Sequence, residues 1–296
     1  MKRHYRKLQK ISESFFISLP KTWIINFNLD KNSTLAIDIR SDGCLVINPR
    51  IKEMENIEFE EIVLNATRSI ARDIVKHSIM GIDKIIIISD KAIDKKILKD
   101  IHFFIDRLPN TNIFEESPQR IEIRTFKIEN IPTYQIIKKL LYLGKEMFDN
   151  VRTNNIKKLT RNFSQLRGLY YTLVRYIRKY LRTGIFLSED KDLTPLEAMD
   201  LRMFCQKIER VGEVLFTLEM NEKVLDYFNV IENYYKEVMD AYLNKDYESA
   251  YLLWNKRNVI VKEFKTSYND LDQNDVDKIK DLEMIAHVCK DMTALI

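Results

Sequence analysis

The chain has 296 residues, 45% of them apolar and 31% charged, which is enough for one to three domains with buried cores. The longest unbroken apolar run is the five residues Ala250 to Trp254, far short of the about 20 needed to cross a bilayer. The basic opening is not followed by an apolar signal segment, and Gly and Pro number only six each, so a cytoplasmic protein with no membrane insertion and no long linkers is expected.

The net charge of +4 is unevenly placed. Residues 1–50 hold nine Lys/Arg against four Asp/Glu, a local +5, whereas 51–130 sum to −2 and 131–296 to +1. Lys2, Arg3, Arg6, Lys7 and Lys10 fall in the first ten residues with no carboxylate among them. A basic excess confined to one end points to a surface that meets a polyanion; a merely solvated charged arm is the plainer alternative.

Taken in order, residues 5–50 alternate in the manner of strands. Leu8 begins a first strand and Phe15–Leu19 form a second, ended by Pro20. A short helical turn over 21–27 holds Trp23, Ile24 and Ile25, and Asn28-Leu29-Asp30-Lys31-Asn32 is turn chemistry. Strands are expected over 34–40 and 44–48, joined by a Ser41-Asp42-Gly43 hairpin turn. A unit of two strands, a helical turn and two strands in under fifty residues is too small for a comfortable core of its own. A partner chain or neighbouring domain is expected to complete it.

Residues 51–130 read as a small α/β connector module. A charged stretch, 49–56, leads to a helix over 63–80 with Val63, Ala66, Ile70 and Ile74 on one face and Gly81 just beyond it. A buried strand over 84–89 carries four consecutive isoleucines. Asp90 is expected to cap a helix over 91–107, and strands follow over 113–116 and 120–126. No glycine follows the central strand, which argues against a phosphate-binding loop there.

From Pro132 onward the pattern is helical. Helices are expected over 133–153, 155–183, from Pro195, and over 222–243, 247–270 and 273–296, with Gly184 breaking the second. Thr194-Pro195-Leu196-Glu197 is a helix-start signal. An offset of 91 residues aligns Glu146-Met147-Phe148-Asp149 with Glu237-Val238-Met239-Asp240, and Phe163 with Trp254, so two three-helix repeats over about 132–219 and 222–296 are expected.

Glu209 and Glu213, at i,i+4 spacing, place two carboxylates on one helix face, where a hard cation could be shared. The alternative is ion pairing with neighbours such as Arg202 or Lys207. Residues 162–167 and 254–258 supply no further carboxylate, which weighs against a metal site. Cys44, Cys205 and Cys289 are odd in number and widely separated, as expected of free buried thiols. No nucleophile–base pair, zinc constellation or glycine-rich loop is evident, so neither an enzyme nor a cofactor is expected.

Two stretches carry a resemblance. The basic first strand with "SFFISLPKTW", "LDKNS" and "DGCLVINP" resembles an AbrB-type swapped-hairpin domain of the kind found in archaeal regulators, although the loop over 10–14 lacks the glycines common in that family and holds Glu13. The resemblance implies an intertwined homodimer contacting DNA through Arg6, Lys7, Lys10, Ser12, Ser14 and Lys21. Ile208-Glu209-Arg210-Val211-Gly212-Glu213 resembles the signature helix of the PhoU family of phosphate-uptake regulators, which implies tandem three-helix bundles over 131–296. The expected fold is α+β, with an AbrB-like domain over 1–50, the connector, and a PhoU-like helical domain. The expected function is a DNA-binding transcriptional regulator linked to phosphate uptake. A protein–protein adaptor acting on a phosphate transporter or sensor kinase, dimerised by its N-terminal domain, is the alternative.

Overall fold

The computed structural model describes residues 4–39, 43–49, 60–126, 132–183 and 193–296. The fold is α+β, with small sheets followed by a long helical region. The chain divides into two compact units, Met1–Glu58 and Phe59–Ile296.

The first unit is built from two hairpins and a helical turn. β1 (Gln9–Ile11) and β2 (Ser14–Phe16) pair antiparallel across the two-residue turn Ser12-Glu13. Ser12 takes φ +57°, the left-handed backbone that lets a tight turn follow the right-handed twist of its strands. Helix α1 (Lys21–Asn26) starts after Pro20 and stops at a left-handed Asn28. There the Asn28 N–H donates to Ile25 O at 3.1 Å and the Leu29 N–H to Ile24 O at 3.0 Å, a pair of bonds that satisfies carbonyls the helix end would leave open. Asp30 accepts the Asn32 N–H at 2.9 Å and the Ser33 hydroxyl at 3.0 Å, which fixes the next turn and holds its carboxyl below the usual range. β3 (Ala36–Ile39) and β4 (Leu45–Asn48) then pair antiparallel, with Ile37 opposite Ile47. Gly43 has φ +78°, while Ser41 and Asp42 of the expected turn lie outside the described residues. None of the described residues up to Pro49 is buried.

The second unit opens with a four-stranded sheet of order β5-β6-β8-β7 (Glu61–Asn65, Lys84–Ile88, Arg120–Thr125, Thr111–Ser117). β5 runs parallel to β6 and the other pairings are antiparallel. The expected helix over 63–80 is corrected here. Residues 61–65 are edge strand β5, in which exposed and half-buried side chains alternate, and helix α2 begins only at Ile70 and runs to Ile79. The expected cap at Asp90 also moves. The Ile93 N–H donates to Pro118 O at 2.8 Å, holding the preceding segment against the β7–β8 turn, so α3 (Lys95–Ile105) starts at Asp94, whose carboxylate accepts the Lys96 N–H. One face of β6 and β8 buries Ile85, Ile87, Ile121 and Ile123 beneath Ile70 and Ile74 of α2 and Ile101 and Ile105 of α3. On the other face Glu122, nearly buried, accepts hydrogen bonds from Arg120 at 2.8 Å and Arg124 at 2.6 Å, with Lys84 3.8 Å away.

The helical region comprises α4 (Thr133–Arg152), α5 (Ile156–Thr183), α6 (Pro195–Thr217), α7 (Leu225–Asn244), α8 (Tyr247–Thr266) and α9 (Gln273–Thr293). Thr194 and Glu197 cap α6 reciprocally, with Pro195 in its first turn. The expected helix over 247–270 ends at Thr266, and a separate 3-10 turn covers Tyr268–Asp270. α4, α5 and α6 pack on one another, as do α7, α8 and α9, and the two sets meet through α6 against α9 and α4 against α7. One apolar core runs through all six helices. Residues related by the 91-residue offset meet at the α4–α7 contact. A Cβ on Gly144 would strike the Tyr235 hydroxyl and lie 3.1 Å from its Cζ, so only glycine admits this approach.

The sheet module is fastened to the helices by buried charge. From α5, Arg175 donates to Ser78 O at 2.6 Å, to Ile82 O at 2.9 Å and to the Asp83 carboxylate. Lys179 stands 3.7 Å from the same carboxylate, which is 2% exposed.

Candidate nucleic-acid interface

Strand register decides which of the N-terminal residues share a surface. Directly opposed residues lie on one face of a hairpin, and neighbours along a strand alternate. Lys10 opposes Phe15, so these two share one face. Gln9 opposes Phe16 and Ile11 opposes Ser14, so Ser14 lies on the other. Ser12 is at the turn, Arg6 and Lys7 precede β1, and Lys21 is the first residue of α1. The six expected contact residues are all exposed, yet the hairpin divides them: Lys10 and Ser14 do not reach the same plane surface.

The cations among the described candidate contact residues are available. Arg6 donates to the Tyr5 carbonyl oxygen at 2.9 Å, and among the described residues Arg6, Lys7, Lys10 and Lys21 form no ion pair. Glu13 occupies the second turn position beside Ser12. Such groups neutralise phosphates, and the serine hydroxyls can donate to phosphate oxygens. Apolar side chains accompany them: Phe15, Ile37, Ile39 and Leu45 are each 60–81% exposed.

The acidic pair of α6 is engaged elsewhere. Glu209 Oε1 lies 3.1 Å from Arg167 Nε of α5, and Glu213 accepts from Arg210 at 2.5 Å. The partners differ from the expected Arg202 and Lys207, because the α5–α6 packing brings Arg167 alongside and Lys207 reaches across to Asp291 of α9 at 2.5 Å. Burial pushes the Glu209 carboxyl above its ordinary value, and Arg167 only partly offsets it. Among the described residues no group of three or more His, Cys, Asp or Glu is placed to hold a metal ion. Cys205 and Cys289 are buried, and burial raises both thiols, whereas Cys44 is exposed, against expectation.

A further cationic feature escapes a sum over the whole helical region. Residues 132–183 carry twelve Lys/Arg against two Asp/Glu, a net +10, and residues 184–296 carry a net −9. Within α5 alone there are eight Lys/Arg and no carboxylate. Counting helix by helix would have found this from the sequence. No protein-family model, curated protein or solved structure matches this chain.

Proposed function

We propose that the protein is a DNA-binding transcriptional regulator, with its N-terminal unit completed by a second copy of the chain. One observation carries this reading: in the described part of that unit every residue is accessible, cations without ion pairs and large apolar side chains alike. Burying an isoleucine, leucine or phenylalanine stabilises by about 1.5–3 kcal/mol, and a unit whose described residues bury none has little to offset its chain entropy. A second copy would supply the missing core and double the number of cations offered to a duplex. The link to phosphate uptake is supported by the PhoU-like stretch Ile208–Glu213 and by the paired three-helix arrangement in which it sits.

The test is DNA binding by the full-length protein in a gel-shift or fluorescence-anisotropy titration. Affinity should fall steeply with salt and should drop in an Arg6→Ala/Lys10→Ala variant. Absence of DNA binding, or binding independent of salt, would overturn the reading; binding indifferent to that variant would remove the N-terminal arm as the contact.

A protein–protein adaptor is the second reading. It is favoured by the exposed stripe of α8, where Tyr247, Tyr251 and Leu252 are each 67–70% accessible. Capture of a transporter or sensor-kinase subunit, lost on Tyr251→Ala and with no DNA binding, would select it.

A further inference from the structure

Helix α5 carries a stripe of cations whose two halves meet different surroundings. At 3.6 residues per turn, Lys157, Arg161, Gly168, Arg175 and Lys179 fall on one face, opposite the core residues Leu159, Phe163, Leu166 and Leu173. The C-terminal half of that face lies against the sheet module, where Arg175 and Lys179 meet Asp83 and the carbonyl oxygens of Ser78 and Ile82. The N-terminal half has nothing equivalent. Lys157, Lys158 and Arg161 are exposed and form no ion pair among the described residues.

The first turns of a helix are an unfavourable place for these charges, because the dipole there is positive. Other helices of the region follow the rule, with Glu197, Asp226, Glu248 and Asp275 in the first turns of α6, α7, α8 and α9. In α5 no carboxylate is available at any i,i+4 position to relieve the repulsion. Among the neighbouring exposed side chains are the hydrogen-bonding Asn154, Thr160, Ser164 and Gln165, with Ile156 the exposed apolar one beside Lys157. Nearby on α4, Asn162 of α5 reaches Glu146 at 3.1 Å, and Tyr142 stands exposed with Lys139 4.9 Å above its ring. The Glu146 carboxylate is held by Asn162 and by the Tyr142 hydroxyl at 2.8 Å, and around it cations interleaved with amides, hydroxyls and an aromatic ring make a surface suited to a nucleic-acid backbone. Lys157 and Arg161 are about 6 Å apart along the helix axis, close to the rise of two nucleotides on one strand.

We propose that the exposed N-terminal half of α5, through Lys157, Lys158 and Arg161, is a second contact surface for the DNA phosphate backbone. It lies in the helical region, separate in sequence from the N-terminal arm. The proposal rests on the DNA-binding reading but not on the arm being the contact. The covered half of the same stripe supplies the precedent, since it is satisfied by carboxylate and carbonyl oxygens. Its contacts carry charge and register, and no base preference is implied.

The experiment titrates full-length protein against a mixed-sequence DNA duplex by fluorescence anisotropy at several salt concentrations. Lys157→Ala/Arg161→Ala is compared with Lys262→Ala/Lys265→Ala, which removes the same charge from exposed positions of α8, and with Arg6→Ala/Lys10→Ala. At about 0.9 per phosphate neutralised, the α5 pair should reduce the slope of log K against log salt by about 1.8. The α8 pair should leave it within error, and unchanged melting curves would establish that all variants fold. A slope unaffected by the α5 pair but reduced by the arm pair overturns this inference and leaves the N-terminal reading standing. A slope reduced by the α5 pair alone supports the inference and removes the arm as the contact. Equal losses from the α5 and α8 pairs mean a diffuse charge effect and overturn it. So does binding to anionic phosphatidylserine vesicles that is lost in the α5 pair while its DNA binding is kept.

Discussion

The two units of this chain are built on opposite principles. From residue 60 onward, sheet and helices bury their apolar faces in two clusters, and even charged groups are taken inside where a partner meets them, as Asp83 is by Arg175. Up to residue 49 the same chain makes correct hairpins, a capped helical turn and an Asp30 turn, yet none of the described residues is buried. Local hydrogen bonding is thus enough to specify secondary structure, and the depth of a core is a separate matter that fewer than fifty residues do not provide. The comparison predicts that substitutions in the second unit act on the stability of a single chain. Those in the first should act on association.

The largest effect is expected at Arg175. Arg175→Met removes the donor to two carbonyl oxygens and leaves Asp83 buried, with Lys179 the one cation paired with it among the described residues. Breaking a buried ion pair from one side costs about 3–5 kcal/mol, which denaturant unfolding of the full chain would register as a large drop in midpoint. Asp83→Asn together with Arg175→Met should recover part of the loss. A midpoint within error of the parent for Arg175→Met would show that the sheet module is not held to α5 in this way.

Next is the α4–α7 crossing. Gly144→Ala directs a methyl group into the ring of Tyr235, a side chain fully buried with no hydrogen-bond partner for its hydroxyl among the described residues. Overpacking of this kind costs about 1–3 kcal/mol. Tyr235→Phe removes the atom that would be struck first. It also removes an orphaned buried hydroxyl, so alone it should be neutral or slightly stabilising. The double variant should be less destabilised than Gly144→Ala by itself. Strict additivity in that cycle would rule out contact between the two positions.

A smaller effect, with a pH signature, belongs to Glu122. Burial pushes its carboxyl up, but hydrogen bonds from Arg124 and Arg120 outweigh burial and leave it below the ordinary 4.5. A carboxyl lowered on folding contributes stability above its unfolded value and loses that contribution as pH falls through its folded value. Glu122→Gln should therefore be destabilised by about 1–2 kcal/mol at neutral pH. The difference from the parent should shrink as pH is lowered below 4.5. A difference constant from pH 7 to acid would mean that charge is not what Glu122 contributes.

Much of this arrangement was legible in the residues. The helices of the last 165 positions follow from apolar spacing such as Phe163, Leu166, Leu173, and Thr194-Pro195 marks the start of α6 because its cap uses only neighbouring atoms. Where a local pattern fitted two structures, the sequence was ambiguous. Val63, Ala66 and Ile70 satisfy a helical spacing, yet 61–65 is a strand because β6 lies beside it in parallel. Asp90 and Asp94 are one helical turn apart and equally able to cap, and a bond from Ile93 to Pro118, distant in sequence, decides between them. Side-chain partnerships were the least accessible. Glu209 pairs with Arg167 on another helix, and whether Lys10 and Ser14 share a face depends on a register fixed by the Ser12-Glu13 turn. The charge of α5 was present in the sequence throughout but cancels against the acidic residues that follow it.

The smallest effect on melting, and the most direct test of the contrast between the units, is expected at Ile37. This residue sits opposite Ile47 in the β3–β4 hairpin and is 60% exposed in the single chain. Ile37→Asp therefore removes little from the monomer, and the main unfolding transition, which belongs to the second unit, should move by no more than about 0.5 kcal/mol. If a second copy covers the hairpin, each chain forfeits about 1.5–3 kcal/mol of burial. Both chains of a symmetric pair carry the change, so association should weaken by about 100-fold or more. Sedimentation equilibrium over a range of protein concentrations reads this directly. DNA binding should weaken in step, because one unit presents half the cations of two. An Ile37→Asp variant that associates like its parent would place the hairpin outside any interface and leave the exposed apolar residues of the first unit to a different partner.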